Sequence, residues 1–398
     1  MKISNNLRTL KLNSDSLYQI GYFLLILNQV LAQSQYNEIG VTSLLLKVSR
    51  WFLICFFGIL IFKKGKYPYN RKGFFWIVFS FISLVEMAFF NGKLLLIIMF
   101  LLVISSYKVE MNALIRNHVS ALVVGVIIVV LSSFIGILDT LGVYKQFDNV
   151  TGFLFKQNNI RYAFGFINSN IIPITGLYLY LYVILIKRDS YKFFYDIVAV
   201  LLNYIIFLYC GSRVCILLVL LTAILRWGIV FCRRWFVRLL VPADLIILIG
   251  CLFFSLLLPI SSFYSTPIVT VIDRIFTARI TIIRNVLSKY PITLWGYGDI
   301  VTDNSAEYLV LDNGYIALFV KRGIIIGIIF IVFLIMMIWN AKRNSDAYLL
   351  LFISIMIIGN IIDNSILHYI TFPIYILSFN GLLSANVQKY LRGSGIYG

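Results

Sequence analysis

Charged residues are scarce in this chain, and acidic residues are the scarcest. Of 398 residues only 13% are charged, with 16 Asp and Glu against 34 Lys and Arg, while 61% are hydrophobic. A soluble domain is about half apolar and about a quarter charged. The chain therefore has too little polar surface to cover a water-soluble globule, which excludes a cytosolic enzyme, a secreted domain and a disordered protein.

Nucleotide-binding sequences are also missing. The chain has no Walker motif, no GxGxxG loop and no DxD pair that would hold a metal–nucleotide complex. These absences exclude ATP-driven pumping within the chain, and they argue against a transferase that takes nucleotide sugars from the cytoplasm. We expect no cofactor.

Metal-ligating side chains are few. The five cysteines all lie in or beside apolar runs without a metal-binding spacing, so we expect them to be packing residues. The only two histidines are His118, at a predicted inner end of a span, and His368, at a predicted outer end. On opposite sides of a membrane they would not share a metal ion.

Long apolar runs fill most of the chain. About 20 apolar residues cross a bilayer, and an aromatic content of 16% suits interfacial belts. We predict an all-α polytopic membrane protein with about 12 transmembrane helices, in which residues 1–398 form a single integral membrane domain. The predicted spans are 17–32, 43–62, 74–90, 94–106, 118–138, 168–186, 193–210, 214–231, 237–258, 314–339, 347–362 and 366–384.

Basic residues indicate the orientation of these spans. With the N-terminus inside, 21 of the 34 Lys and Arg fall in inside segments and 9 in outside segments. The other four, Lys47, Arg50, Lys321 and Arg322, fall within predicted spans. Because Lys and Arg are enriched in cytoplasmic loops, we expect both termini in the cytoplasm. The same enrichment explains the net charge of +18 without nucleic acid as a partner.

The longest outside loop, 259–313, lies between the ninth and tenth spans and contains a predicted amphipathic helix, 269–289. Asp273, Arg274 and Arg284 fall on its polar side, as expected for a helix on the outer membrane face. Arg279 instead falls in the middle of the apolar arc. Either it snorkels to the interface, or it points at an anion held between this helix and the membrane bundle.

Two further arginines, Arg161 and Arg213, stand at predicted outer ends of spans. A lone outer arginine is compatible with an ordinary headgroup anchor. Three arginines in one outer region favour an anionic ligand, because a guanidinium stays charged and binds phosphate oxygens through two N–H groups at once.

Polar and aromatic residues also gather around the end of the long loop. Tyr297, Asn313 and Tyr315 combine stacking faces with hydrogen-bonding groups, a mixture that suits a carbohydrate and is equally typical of a tight interfacial loop. They are candidate substrate-binding residues.

Three acidic residues are candidates for a base that would activate an acceptor hydroxyl. Asp312 leads, and its alternative role is to cap the helix that follows it. Glu86, within the predicted span 74–90, is either a polar contact between helices or a substrate-binding carboxylate open to the outside. Asp363, at a predicted outer end, is the third candidate.

Four local patterns give the chain a resemblance to a known family. Each joins a charged residue to nearby glycine, asparagine or serine. They are Arg161 with Gly165-Phe166 and Asn168 to Asn170, Ser212-Arg213, Arg279 with Gly296-Tyr297-Gly298, and Asp312-Asn313-Gly314-Tyr315 with Gly323 and Gly327. Their order and predicted sidedness resemble those of the Wzy-type polysaccharide polymerases of the O-antigen ligase-like superfamily. The related ligases usually carry a His where this chain has Asp312, which favours a polymerase.

The resemblance implies a reaction on the outer face of a bacterial plasma membrane. A growing glycan on undecaprenyl pyrophosphate would be transferred to the non-reducing end of one lipid-linked repeat unit, without metal or nucleotide. It implies a glycosyltransferase that makes capsule or O-antigen polysaccharide, with Arg279 and Asp312 as the catalytic residues. The implied partners are the lipid-linked oligosaccharide, membrane lipids, and the flippase and chain-length regulator of the same pathway.

A lipid-linked oligosaccharide flippase or another transporter is the competing class, and the related ligase is a third. Transporters place charges along a central cavity and need no large outside loop. Here the spans are expected to be nearly bare of charge and the notable residues lie on one side, which favours the polymerase.

Overall fold

The protein is described by a computed structural model that covers residues 14–64, 95–107, 109–140, 161–275, 279–298, 313–361, 363 and 368–383. Within these ranges helices account for nearly all regular structure, and no strand occurs. A single isolated bridge in the same ranges joins Ser34 to Phe166.

The apolar runs form the helices because a chain in lipid must satisfy its backbone N–H and C=O groups internally. The helices are α1 Ser14–Ala32, α2 Gly40–Lys64, α3 Leu95–Ser105, α4 Met111–Phe134, α5 Ile171–Lys187, α6 Phe193–Cys210, α7 Arg213–Leu252, α8 Pro267–Ile275, α9 Arg279–Lys289, α10 Arg322–Arg343, α11 Ala347–Gly359 and α12 Phe372–Leu383.

Five helical stretches in the described part of the chain are long and apolar enough to cross a membrane: Gly40–Lys63, Met111–Phe134, Phe193–Cys210, Arg213–Ile260 and Gly314–Arg343. The prediction of an all-α membrane protein agrees with this. The count of twelve spans stays a prediction, and the predicted span 74–90 lies outside the described residues.

Helix α7 contains a sharp turn at Cys232, whose φ of −141° and ψ of 50° are not helical. The Phe236 ring packs directly on Gly228 and leaves no room for a side chain there. On a straight helix these two residues would be about 12 Å apart, so the chain folds back between them. The two halves of α7 match the predicted spans 214–231 and 237–258.

Helix α11 is the most deeply buried of the described helices, and every residue in it except Ile358 is buried. A helix that is apolar all round belongs inside a bundle. The contacts at its two ends show that the first half of α7 runs antiparallel to α11. The Arg233 guanidinium lies 5.9 Å from the centre of the Tyr348 ring, whereas Leu218 lies against Gly359.

The backbone is interrupted at Gly323, just after the start of α10. Gly323 has φ 86° and ψ 168°, a region that is accessible essentially to glycine alone. The segment 293–298 fills the interruption: Tyr297 N–H donates to the Val320 carbonyl at 3.0 Å, and Ile324 N–H donates to the Thr293 carbonyl at 3.0 Å. Gly323 of the fourth sequence pattern therefore packs directly against Gly296 of the third.

Lys321 and Arg322 lie within the stretch Gly314–Arg343, which is long and apolar enough to cross a membrane, in agreement with the sequence prediction that both fall within a span. The π-helix Ala317–Lys321 precedes α10 in this stretch. Arg322 is buried.

The two histidines are not on opposite sides, contrary to the sequence prediction, because His368 lies close enough to His118 to act on it electrostatically. His118 Nε2 lies 3.2 Å from the Ile370 carbonyl, which also accepts from the Tyr182 hydroxyl at 2.5 Å. A carbonyl only accepts, so Nε2 carries the proton, and Nδ1 of a neutral ring accepts from the Tyr22 hydroxyl at 2.9 Å. The short 3-10 helix Tyr369–Thr371, which begins directly after His368, is thus buried inside the bundle.

The Gly323 interruption gives a test of the fold. We expect Gly323→Ala to lower the free energy of unfolding by at least about 1–3 kcal/mol, because a Cβ would overlap the Leu294 carbonyl oxygen. Gly250→Ala is the matched control, since no atom lies within 4 Å of a Cβ at that position. Thermal unfolding in detergent measures both, and equal melting temperatures would contradict the described interruption.

Candidate functional site

The arginines predicted outside lie at one end of the bundle, which we call the site end and define by Arg161, Arg213 and Asn313. Tyr162 N–H, next to Arg161, donates to the Tyr209 carbonyl at 3.1 Å. Gly211, with φ 70°, ends α6 and lets α7 start at Arg213.

The other side of the site end is formed by the segments on either side of α11 and before α10. Gly314 N–H donates to the Asn360 carbonyl at 2.8 Å, just beyond Gly359. Leu218, about one turn into α7, lies against Gly359. The N-terminus of α7, the C-terminus of α11 and Asn313 therefore lie at the same end.

The predicted amphipathic helix 269–289 consists of two helices, α8 and α9, with residues 276–278 outside the described chain. Asp273 joins them by accepting the Ile280 N–H at 2.7 Å and the Thr281 hydroxyl at 2.5 Å. A carboxylate at the first N–H groups of a helix satisfies donors that have no partner within the helix. Asp273, predicted on the solvated side, therefore fixes the start of α9 at Arg279.

Helix α9 packs on the protein, which corrects the prediction that the whole amphipathic segment lies on the membrane. Ile283 and Val286 are buried against Ile316 and Val320. Ile280 is buried against Leu258. The exposed apolar side chains of this segment are on α8, where Ile268 and Val271 are 71% and 56% exposed.

Arg279 lies on the buried side of α9. Residues four and seven positions further along a helix share its face, and these are Ile283 and Val286, both buried. The charges of Arg279 and Asp363 both act on the Cys215 thiol, so the two side chains lie in the vicinity of Cys215. The helical period of the sequence puts Arg279 in the apolar arc, and the structure agrees with that placement.

Cys215 links this pair to a third element of the site. Its thiol also hydrogen-bonds with the Ser212 side chain, next to Arg213. Arg279, at the start of α9, and Asp363, after α11, therefore both lie in the neighbourhood of the start of α7, where Arg213 stands. Arg213, Arg279 and Asp363 each have interaction partners.

Asn313 stabilises the site end by using all the hydrogen-bonding groups of its side chain. Its Oδ1 accepts the N–H groups of Tyr315 and Ile316 at 3.0 Å each, and its Nδ2 donates to Ser255 Oγ at 2.9 Å and to the Ile361 carbonyl at 3.0 Å. Asn313 is the N-cap of the short helix Gly314–Ile316. Capping is the alternative role that the sequence leaves open for Asp312. Its predicted contact with substrate stays a prediction.

Tyr315 and Gly314 are equally embedded. The Tyr315 ring is fully buried and its hydroxyl donates to the Ile357 carbonyl at 2.9 Å. A Cβ at Gly314 would lie 2.8 Å from Asn360 Oδ1 and 3.0 Å from the Asp363 carbonyl oxygen. Only glycine allows Asp363 to come this close to the end of the long loop.

The remaining predicted residues lie toward the surface of the site end. Arg161 is exposed. Tyr297 is 40% exposed and packs edge-on against Tyr290, with ring centres 5.6 Å apart. Arg284, on the polar side of α9, is exposed and stacks on the Tyr264 ring at 4.1 Å. Tyr297 presents the aromatic surface that its predicted role requires.

Glu86 and Asp312 lie outside the described residues, so their predicted roles stay predictions. Sequence reasoning missed Asp244, which is completely buried in the second half of α7. The signal is present as Pro242-Ala243-Asp244 inside the apolar run 237–258. The sequence prediction names Glu86 as the acidic residue well inside a span, and Asp244 is a second one.

Sequence reasoning also missed a buried ion pair at the opposite end of the bundle. Asp196 accepts from Arg226, from the Tyr180 hydroxyl at 2.6 Å and from Trp227 Nε1 at 3.0 Å. The sequence analysis counts Arg226 among the basic residues of the inside segments. In the structure Arg226 lies within α7 and is only 4% exposed. This cluster joins α5, α6 and α7 and lies away from the candidate site.

In the described part of the chain, no group of three or more His, Cys, Asp and Glu side chains is arranged to hold a metal ion. Comparison of the chain with protein-family models, curated proteins and solved structures finds no match. The resemblance to the Wzy-type polymerases therefore rests on the four local sequence patterns alone.

Proposed function

We propose that this chain is a membrane-embedded glycosyltransferase that polymerises undecaprenyl-pyrophosphate-linked oligosaccharide repeat units. The observation that carries the proposal is that Arg279, on the buried side of α9, lies in the neighbourhood of Cys215, two residues after Arg213. Two guanidinium groups on separate helices suit a pyrophosphate, because each arginine can donate two parallel N–H groups to phosphate oxygens. The site end would face the outside of a bacterial plasma membrane.

The arginines would act on the leaving group. The pyrophosphate gains negative charge as the glycosidic bond breaks, and a fixed cation lowers the energy of that transition state. Arg279 has this role, and Arg213 and Arg161 assist it. Arg279 is well suited because Asp273 fixes the start of its helix and buried Ile283 fixes its orientation. A preorganised donor spends no free energy on reorientation during the reaction.

The lipid part of the donor would approach along α8. Ile246, Ile249 and Phe253 are exposed apolar residues of α7 and of the π-helix Phe253–Leu257 that follows it. Ile268 and Val271 of α8 are exposed apolar residues as well. A polyprenyl chain in the bilayer would thus reach the arginines without leaving apolar surroundings.

The carbohydrate would occupy the more exposed part of the site end. Tyr297 offers an aromatic face of the kind on which sugar rings stack, and Arg161 offers hydrogen-bond donors. Membrane lipids, the flippase and the chain-length regulator of the same pathway are the proposed partners.

A transporter, such as a flippase for the same lipid-linked oligosaccharides, is the second candidate. The observation that favours it is Asp244, which is fully buried inside a span. Ionisable residues within membrane helices commonly mark transport pathways or proton relays. Because Asp244 lies inside a span, the scarcity of charged residues in the spans speaks less strongly against a transporter than the sequence indicates.

The lipid-linked glycans of a strain that lacks this chain distinguish the two candidates. We expect single repeat units to accumulate on the outer face, because units would be exported but not joined. Labelling of surface glycans on intact cells, followed by lipid extraction, measures both their side and their length. Repeat units trapped inside the cell would contradict the polymerase and support the flippase.

Arg279 gives a second prediction. We expect Arg279→Ala to abolish polymer and Arg279→Lys to lose about 10²–10³ in rate, because lysine keeps the charge but not the paired N–H groups. Arg284→Ala, on the exposed side of the same helix, is the matched control and should keep most activity. Polymer length on gels and protein level in the membrane are the measurements. Normal polymer from Arg279→Ala with none from Arg284→Ala would reverse the assignment.

The acceptor side gives a third prediction. Asp312 is the leading base, and Asp312→Asn should leave the helix cap intact, because Asn313 supplies it, yet lose about 10²–10⁴ in rate. Asp363→Asn is the companion variant, since Asp363 is another candidate base and lies, like Arg279, in the neighbourhood of Cys215. The readout is polymer formed from purified lipid-linked repeat units. Near-normal activity of Asp312→Asn together with an inactive Asp363→Asn would transfer the base role to Asp363.

A further inference from the structure

Asp244 is an acidic side chain near the middle of the bundle for which the proposed reaction has no use. It follows the turn at Cys232 by 12 residues, or roughly 18 Å of helix, in a bilayer whose apolar core is about 30 Å thick. It is 0% exposed, and its Oδ1 lies 2.5 Å from Ser354 Oγ of α11.

The Ser354 hydroxyl has one proton and lies close to two oxygens that could accept it. Ser354 Oγ also lies 2.9 Å from the Leu350 carbonyl, one helical turn earlier. The Leu350 carbonyl has no proton to give, and the serine hydroxyl has one. If the hydroxyl donates to Leu350, the short contact between Asp244 and Ser354 needs a second proton, and Asp244 is the group that can carry it.

The surroundings of the other carboxyl oxygen, Asp244 Oδ2, also favour a protonated Asp244. Asp244 Oδ2 is buried and has no hydrogen-bond partner in the described part of the chain. An ionised carboxylate at that depth would expose a charged oxygen to apolar surroundings, at a cost of about 2.5–3.5 kcal/mol on insertion scales. A neutral carboxylic acid needs one acceptor for its proton, and Ser354 Oγ supplies it.

Two other buried aspartates show what an ionised carboxylate receives in this protein. Asp196 accepts from Arg226, Tyr180 and Trp227. Asp346 pairs with Arg188 at 3.1 Å and accepts the Leu349 N–H at 3.1 Å. Each has an arginine and at least one further donor, whereas Asp244 has one serine among the described residues.

We infer that Asp244 and Ser354 form a proton-binding site between α7 and α11, in which Asp244 keeps its proton at neutral pH and donates it to Ser354 Oγ. The site lies away from the arginines and does not depend on the proposed polymerase. Because both helices bury the pair, the proton exchanges only when the interface between α7 and α11 admits water. The ligand of this site is a proton.

Infrared spectroscopy of the purified protein in lipid nanodiscs tests the inference. The spectrum at neutral pH should contain the carbonyl stretching band of a protonated carboxyl group, and Asp244→Asn should remove it. Asp196→Asn is the matched control, since that buried aspartate pairs with Arg226 and should leave the band intact. Absence of the band in the wild-type protein, or its loss in Asp196→Asn but not in Asp244→Asn, would overturn the inference.

The melting temperatures of the Asp244→Asn and Asp196→Asn variants give a second test. Asp244→Asn should melt close to the wild-type temperature, because an amide donates to Ser354 Oγ as a carboxylic acid does. Asp196→Asn should melt several degrees lower, since it leaves a buried arginine without its charge partner. Should Asp244→Asn fail to fold, Ser354→Ala keeps the carboxyl and removes its acceptor. The band must then change frequency, and an unchanged band would overturn the inference.

Discussion

Backbone N–H and C=O groups inside an apolar bundle have to find hydrogen-bond partners within the protein, because lipid offers none. Regular helices meet this requirement by themselves, so the polar side chains gather where helices stop. The carbonyl of Ile370 receives His118 and Tyr182. Asn313 satisfies four groups where the chain enters the segment before α10.

The same requirement shapes the candidate site. The interruption at Gly323 frees backbone groups near the site end, and the segment 293–298 occupies them. That pairing holds the loop glycines against α10. Asp273 has the equivalent role for α9, because it accepts the first N–H groups of that helix. Arg279 is therefore held by a helix that is fixed both at its start and along its buried side, which is the rigidity that a charge-stabilising residue needs.

Buried acidic residues fall into two kinds, and the distinction follows from how their charge is compensated. Asp196 and Asp346 each lie beside an arginine near one end of the bundle, where they join neighbouring helices. Asp244 lies deeper and has a serine. Removing the charge of the first kind leaves a buried arginine without its charge partner. The second kind has no arginine partner among the described residues, so we expect aspartates of the two kinds to differ in their response to loss of charge.

The amino-acid sequence by itself determined the membrane class, the helices and most of their ends, since these depend on local apolar length and on glycine and proline. It also determined that Arg279 has an exceptional position, because the helical period alone puts it among apolar residues. Only the tertiary structure decided what surrounds each polar side chain. The sequence pattern does not show that His368 lies near His118 or that Asp273 caps α9. Nor does it show that Arg279 and Asp363 both lie in the neighbourhood of Cys215. Such contacts depend on how helices pack, and apolar periodicity carries no information about which helix lies beside which.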